Sequence, residues 1–311
     1  MEMKVHKAGV LTTVQDLGRY GYRAGGVPVC GPMDSVGLRI ANLLVGNDEG
    51  SACLEVTLVG PEIEFSSDRV IAVSGAKLSN IEMNRPLVVK AGEKIKLGSC
   101  VSGSRAYVAI SGGIKTEAVL GSQSTYLRGQ FGGFEGRALK EGDILKLGKG
   151  LSLKKDVSRF YISGSPLPQY SGALTLRVIE GAHKSEFSAG FFTQSYKVSP
   201  SSDRMGLRLM GKSLQRKVST DITSRAVVCG TIQVPADGQP IVLMADAQTL
   251  GGYPQIAHVC AVDLPLAGQL KANDVVEFSL ITAHDAQELL KKREAHIGLI
   301  RIGIKHYFQT A

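Results

Sequence analysis

Residues 91–97 read AGEKIKL, and the same pattern returns as EGDILKL over 141–147 and as ANDVVEF over 272–278. Each opens on a Gly or Asn turn. In each an apolar pair brackets an outward charge: Ile95 and Leu97 about Lys96, Leu145 and Leu147 about Lys146, Val276 and Phe278 about Glu277. Period two is the geometry of a strand, so each repeat is expected to give one face to a core. Thirty-seven glycines, abundant Val and Ile, and short alternating runs ended by Gly, Asn or Asp extend this reading along the chain. They predict a mainly β protein of barrels or folded sheets in two lobes, with few short helices. The segment ISGSPLPQYSGA, 162–173, is the expected seam, separating an N-terminal β lobe over 1–160 from a C-terminal β lobe over 161–311.

Two helices stand out. One starts after Pro32 with Asp34 as N-cap, places Val36, Ile40, Leu43 and Leu44 on one face, and stops at Gly46-Asn47. The other is TAHDAQELLKKREA, 282–295, with Thr282 and Asp285 as capping pair and Glu288 four residues before Lys292.

At 311 residues, 43% hydrophobic and 21% charged, the chain has the composition of a soluble globular protein with two domains. No run approaches the roughly 18 apolar residues that span a bilayer, and MEMKVHKAGV lacks the apolar core of a secretory signal, so a cytoplasmic location is expected. Five cysteines (Cys30, Cys53, Cys100, Cys229, Cys260) without a C-x-x-C pair argue against a disulfide framework or a zinc site and are expected as buried thiols. The scattered histidines form no H-E-x-x-H or H-x-H, so no metal ligands are expected. The net charge of +8 is spread out, with no aromatic platform between its cations. That suits small anionic substrates better than nucleic acid.

GLRLMGKS, 206–213, spells G-x-x-x-x-G-K-S, and IVLMAD, 241–246, imitates the acidic strand that holds magnesium in phosphate-loop enzymes. A phosphate loop needs a buried strand before it, amides free to wrap the phosphate, and a helix opening at the lysine. Here SPSSDRM precedes it, Leu207-Arg208-Leu209 alternates like a strand, and LQRKVSTDITS lacks helical periodicity. The match is read as a strand with coincidental spelling.

Three polar, glycine-punctuated segments interrupt the strands. TTVQDLGRYGYRAGGVPVCGPMDS, 12–35, carries Gln15, Asp16, Arg19, Arg23 and Asp34, read either as a solvated turn with capping carboxylates or as a binding loop. SSDRMG, 201–206, sets Asp203 beside Arg204, a surface ion pair or part of a site. QVPADGQPIVLMADAQTLGGYPQIA, 233–257, runs from a turn at Asp237-Gly238 through an apolar strand to Asp246, Gln248 and Thr249, with Tyr253 in the closing loop. Polar groups delivered at the exit of a buried strand commonly face a site. Asp246 is therefore expected at a pocket mouth with Arg204 as its compensating cation. Replacing Asp246 by Asn is expected to lower activity with stability intact or raised.

These segments, with ANLLVGN, LEVTLVGP, AISGG and LGSQSTYLRGQFGGFEGRALKEGD in order along nearly the whole chain, resemble the allophanate hydrolase subunit 2-like, or biotin-dependent carboxyltransferase-like, family, on the branch found in prokaryotic 5-oxoprolinases. The resemblance implies cyclophilin-like β barrels. It implies 5-oxoprolinase subunits B (kinase-inhibitor type) and A (lactam-utilisation type) as partners, which with such a chain open 5-oxo-L-proline to L-glutamate using ATP with Mg2+ shared across the assembly, and no tightly bound metal. On it, Asp246, Asp203 and Arg204 are the expected catalytic residues, and Gln15, Asp16, Arg19, Asp34, Gln248, Thr249 and Tyr253 the expected substrate- or nucleotide-binding ones. One departure is visible: relatives read Asp-Arg-Gln-Thr-Thr where this chain has Asp246-Ala247-Gln248-Thr249-Leu250, so one cation is missing. The family also admits a carboxyltransferase-type module acting on a urea-like amide with carboxybiotin, and a regulatory binder of a kinase inhibitor. A five-membered lactam is a resonance-stabilised amide, so its hydrolysis calls for the carbonyl oxygen to become a leaving group, and phosphorylation needs positioned cations rather than a nucleophile triad.

If the G-x-x-x-x-G-K-S spelling is coincidental, Lys212→Ala will leave any ATP-dependent turnover within a few fold. A loss of about a thousandfold, the scale of a removed transition-state charge, would restore the phosphate-loop reading.

Overall fold

A computed structural model describes residues 1–150, 161–162, 173–218 and 220–310; the expected seam at 162–173 lies, except for its two end residues, outside the described residues. The chain forms two compact units, each assembled from separate segments rather than divided at a single point. The first comprises Met1–Arg19, Cys30–Gln169 and Ala295–Ala311; the second comprises Tyr20–Val29 and Tyr170–Glu294. Among the described residues no helix is long and apolar enough to cross a membrane.

The first unit holds strands β1 (Glu2–Lys7), β2 (Leu11–Gln15), β3 (Cys53–Thr57), β4 (Glu62–Phe65), β5 (Arg69–Leu78), β6 (Pro86–Val89), β7 (Lys94–Lys96), β8 (Cys100–Ile110), β9 (Ile114–Lys115) and β10 (Ile144–Leu147). They make two five-stranded sheets, ordered β7-β4-β1-β10-β9 and β2-β3-β8-β5-β6. Register follows the apolar pattern. In the first sheet Met3 lies opposite Phe65 on one side and Leu145 on the other; in the second, Val108 lies between Leu54 and Val73. All six belong to one buried cluster that both sheets feed, which also takes Leu97 and Leu147 from the repeats, while Lys96 and Lys146 point to solvent.

The second sheet is buried on its other face too. Helix α1 (Ser35–Leu44) packs Leu38, Ile40, Ala41 and Leu44 against Cys53, Val70, Ala72, Tyr107 and Ala109. That explains why RVIAV and AYVAI are continuous apolar runs rather than alternating ones. The predicted cap is present: Asp34 Oδ1 accepts the Gly37 amide at 2.9 Å, and Gly46, at φ 72°, ends the helix by donating to the Leu43 carbonyl at 3.0 Å.

In the second unit β11 (Ala173–Glu180), β12 (Tyr196–Val198), β13 (Gly206–Met210), β14 (Arg225–Ala226), β15 (Thr231–Gln233), β16 (Ile241–Leu243), β17 (Leu250–Gly251), β18 (Gln255–Val259) and β19 (Val275–Leu280) are the strands. Seven of them close a barrel in the order β11-β18-β15-β16-β13-β12-β19, sealed by parallel pairing of β11 with β19, and β14 pairs with β17 as a short ribbon. Inside, Phe278 stacks on Phe191 at 4.7 Å, and Val276 is buried as the repeat predicts, with Glu277 outward. A four-residue helix, α2 (Leu264–Ala267), precedes β19.

Three expectations change. The C-terminal helix α3 (Ala283–Thr310) is not short: it runs 28 residues, past the expected end at 295. Gly298 and Gly303 suggest a break, but Ile297, Ile300, Ile304 and Phe308 recur at helical spacing and pack into the α1 cluster, which outweighs the glycines. Glu288 pairs with Lys291 at 2.7 Å rather than with Lys292. All five cysteines are free, but Cys229 is exposed and Cys100, packed at the edge of the first unit's core, is half-buried.

Helix α1 approaches its sheet closest at Gly37, where a Cβ would stand 2.8 Å from the Tyr107 ring. Helix propensity alone makes Gly→Ala favourable by about 1 kcal/mol. Overpacking costs about 1–3 kcal/mol, so Gly37→Ala is expected to be net destabilising in urea unfolding. A raised midpoint would show that helix and sheet can separate freely.

Candidate functional site

In the second unit the ladder itself brings the two polar segments together. Strands β13 and β16 are antiparallel with Gly206 opposite Leu243, so the residues before one meet the residues after the other. The Met244 amide donates to the Met205 carbonyl and the Asp246 amide to the Arg204 carbonyl, both at 2.9 Å. Side chains repeat the pairing: Arg204 Nε and Nη2 donate to Asp246 Oδ2 and Oδ1 at 2.9 and 2.8 Å. Each side chain is only 4% exposed, so this is a closed bidentate fork rather than a charge at an open mouth. Cys229 is influenced by the same pair. The residue is exposed, and desolvation of its thiol, with Arg204 opposing and Asp246 adding, pushes it up to about 12.

The remaining expected residues of this unit differ in their surroundings. Asp203 is exposed and commits Oδ1 to the Met205 and Gly206 amides at 2.8 and 3.2 Å, shaping the turn that aims Arg204. Gln248 is exposed, Thr249 is buried with its carbonyl accepting the Val227 amide at 3.0 Å, and Tyr253 is 50% exposed. Ala247, in place of the relatives' cation, packs with Val227 and Leu243 in an apolar cluster. Among the described residues no group of three His, Cys, Asp or Glu is placed to hold a metal ion.

Gln15, Asp16, Arg19 and Asp34 belong to the first unit. Asp16 is saturated: Oδ1 accepts Gly18 N, Ser122 Oγ and Ser124 Oγ at 2.8, 2.6 and 2.6 Å, and Oδ2 accepts Gln123 N at 2.6 Å. It organises residues 122–124. Asp34 caps α1, and its amide donates to Tyr107 Oη at 2.7 Å. Gln15 and Arg19 are both buried and reach consecutive carbonyls, Arg19 Nη2 that of Ser124 and Gln15 Nε2 that of Thr125, with the guanidinium carbon 4.9 Å from the Phe131 ring centroid. Of the two readings of segment 12–35, the capping one describes Asp16 and Asp34. The other two residues are not surface turn residues.

One buried polar network escaped sequence reasoning. Glu55, 1% exposed in β3, accepts from Tyr107 Oη at 2.7 Å and from the Met33 amide at 2.8 Å. Burial first, then Glu55 and Asp34, drive the Tyr107 hydroxyl well above its ordinary range. The available signal was a lone Glu within the otherwise apolar run CLEV.

The G-x-x-x-x-G-K-S segment is strand β13 and a turn. Its amides are taken: Gly211 N by Gln239 Oε1 and Lys212 N by Gln194 Oε1, both at 2.9 Å, while Ser213 Oγ donates to the Asp237 carbonyl. No helix opens at Lys212, so nothing there is free to cradle a phosphate.

Residues 25–280 match the family described as carboxyltransferase domain, subdomain A and B. The chain is 38% identical over 302 residues to the 5-oxoprolinase C subunit of Escherichia coli (strain K12), covering 94% of each. It is 34% identical over 314 residues to urea amidolyase of Saccharomyces cerevisiae, covering 93% of this chain and 17% of the yeast protein. In three dimensions it is similar to the crystal structure of the K. lactis urea amidolyase, with a TM-score of 0.89 and 33% identity over 95% of this chain and 20% of that one.

Asp246→Asn tests what the fork contributes. Sequence reasoning expects stability intact or raised. The geometry predicts the reverse, a loss of about 3–5 kcal/mol, because the amide leaves a buried guanidinium without its counter-charge. Replacing both partners, Arg204→Met with Asp246→Leu, should recover most of that loss in the same urea titration. A single Asp246→Asn as stable as the parent would show that water reaches the pair.

Proposed function

From a chain that belongs to the family of carboxyltransferase domains, subdomains A and B, we propose a subunit of an ATP-dependent 5-oxoprolinase that opens 5-oxo-L-proline to L-glutamate. The carrying observation is 38% identity to the Escherichia coli 5-oxoprolinase C subunit over 94% of both chains, a match that accounts for nearly the whole length of each protein rather than one segment of a larger one. The partners in this reading are a kinase-inhibitor-type subunit and a lactam-utilisation-type subunit, and the assembly is cytoplasmic.

In this reading the assembly phosphorylates the lactam carbonyl oxygen with release of ADP, a first water adds to that carbon and the ring C–N bond breaks to leave an acyl phosphate, and a second water releases phosphate, so that ATP, lactam and two waters give ADP, phosphate and glutamate. The residues of this chain fit ATP with Mg2+ poorly on their own. Both Asp246 oxygens are engaged by Arg204, and the amides of the G-x-x-x-x-G-K-S turn are taken. No phosphoryl-transfer step is therefore routed through this chain, and its part is to hold and orient the cyclic amide. Asp203, Gln248 and Tyr253, all exposed, are proposed to face substrate or partner. The second reading, a carboxyltransferase module for a urea-like amide, draws on the TM-score of 0.89 with urea amidolyase.

Release of ADP on adding 5-oxo-L-proline, measured with the chain alone and with the two partner subunits, tests the proposal. Turnover is expected only in the full assembly. Robust lactam hydrolysis by the single chain would overturn the shared-site reading, binding of the partners without turnover would favour regulation, and carboxybiotin-dependent carboxylation of urea would favour the second reading.

A further inference from the structure

Residues 46–50, just past α1, and the last turns of α3 enclose a cleft of about 510 Å³ in the first unit. That is within the range of about 300–1,000 Å³ usual for small-ligand sites. None of the expected site residues lines it. Its floor is apolar: Leu43 from α1 and Ile304 from α3 are 6% and 3% exposed, and Phe308, one turn past Ile304, is half-buried. Its wall is tied down. Glu49 accepts Arg39 Nε on Oε2 and Arg301 Nη1 on Oε1, both at 2.8 Å, which fastens α3 to the loop and compensates the Glu49 charge. Asn47 is spent as well, its Nδ2 donating to Asn42 Oδ1 and the Ile110 carbonyl at 3.0 and 2.9 Å and its Oδ1 accepting the Gly112 amide at 2.9 Å.

Two rim charges are left over. Among the described residues, neither the Asp48 carboxylate nor the Lys305 ammonium has a side-chain partner. Their spacing follows from the bridge between their neighbours. Asp48 directly precedes Glu49, and Lys305 follows Arg301 by about one turn, roughly 6 Å along the helix. Because Arg301 and Glu49 touch, a free anion lies one residue from that contact and a free cation one turn from it, and both line the same cleft. An apolar acid could use the floor and Lys305 but would be repelled by Asp48; an apolar amine would have the opposite fault. A ligand with a charged side chain would bring that charge against Leu43 and Ile304 at a desolvation cost.

We propose that this cleft binds an α-amino acid with an apolar side chain, its ammonium on Asp48, its carboxylate on Lys305 and its side chain on Leu43, Ile304 and Phe308. The assignment is independent of the proposed function and holds for this chain whatever reaction it serves.

Calorimetry on the full-length chain tests it with L-phenylalanine and L-leucine, which carry all three features, and with four probes that each lack one. Those are 3-phenylpropanoate, without the ammonium; phenethylamine, without the carboxylate; glycine, without the side chain; and L-glutamate, whose side chain is charged. The two apolar amino acids are expected to bind saturably, and the other four at least about tenfold more weakly. Asp48→Asn should weaken L-phenylalanine and phenethylamine about tenfold and leave 3-phenylpropanoate no weaker, whereas Lys305→Met should weaken L-phenylalanine and 3-phenylpropanoate and leave phenethylamine no weaker. Both residues are exposed, so both variants are expected to keep the parent's far-ultraviolet circular dichroism. The proposal is overturned if neither apolar amino acid binds saturably, or if either variant binds L-phenylalanine as the parent does. It is equally overturned if 3-phenylpropanoate, phenethylamine or L-glutamate binds as tightly as L-phenylalanine, since the cleft would then read one charge or none of the apolar floor.

Discussion

Strands β3, β5 and β8 give one face to the opposing sheet and the other to α1, so their central residues meet no water. Any polar group placed among them must find a protein partner or carry a desolvation cost of about 1–3 kcal/mol or more. Glu55, Tyr107 and Asp34 meet that demand through one another and through nearby amides, and half-buried Asp16, just past β2, has four donors of its own. The neighbouring Gln15 and Arg19 meet it only in part. They are not alone in this: Arg69, 2% exposed in β5, leaves Nε and Nη2 without a partner.

In the second unit the constraint is register. Pairing of β13 with β16 delivers Arg204 to Asp246 across 42 positions of sequence, and the backbone contacts at Met205 and Arg204 hold the two strands at the right height before any side chain is counted. A slip of one residue by either strand would put the two side chains on opposite faces. The fork is thus a product of the barrel's hydrogen bonding. It also fixes the turn on which Asp203 is displayed.

Much of this was legible in the residues. The three repeated turn-and-strand units showed their alternation openly, and Asp34, Gly46 and Thr282 carried capping signals that depend on nearest neighbours alone. The pairing of Arg204 with Asp246 could be guessed from charge compensation at the end of an apolar strand. Its burial could not, because exposure depends on how the barrel closes, and with burial the expected effect of Asp246→Asn on stability changes sign. The α3 extension was hidden by Gly298 and Gly303, whose weak propensity lost to packing that no local window contains. The Glu55 network was hidden because a single acidic residue in a strand reads the same whether it faces water or a tyrosine 52 positions on.

Sealing the barrel by laying β11 beside β19 joins Ala173 to Val275, so its first strand waits for its last. The other unit waits as well, since it takes in Ala295–Ala311. During synthesis, then, the barrel stays open at the edge of β11 until β19 has been made, and the α1 cluster lacks its α3 residues until the chain past Ala295 follows. Native topology here places a long interval of vulnerability on the nascent chain, one in which chaperone capture competes with aggregation.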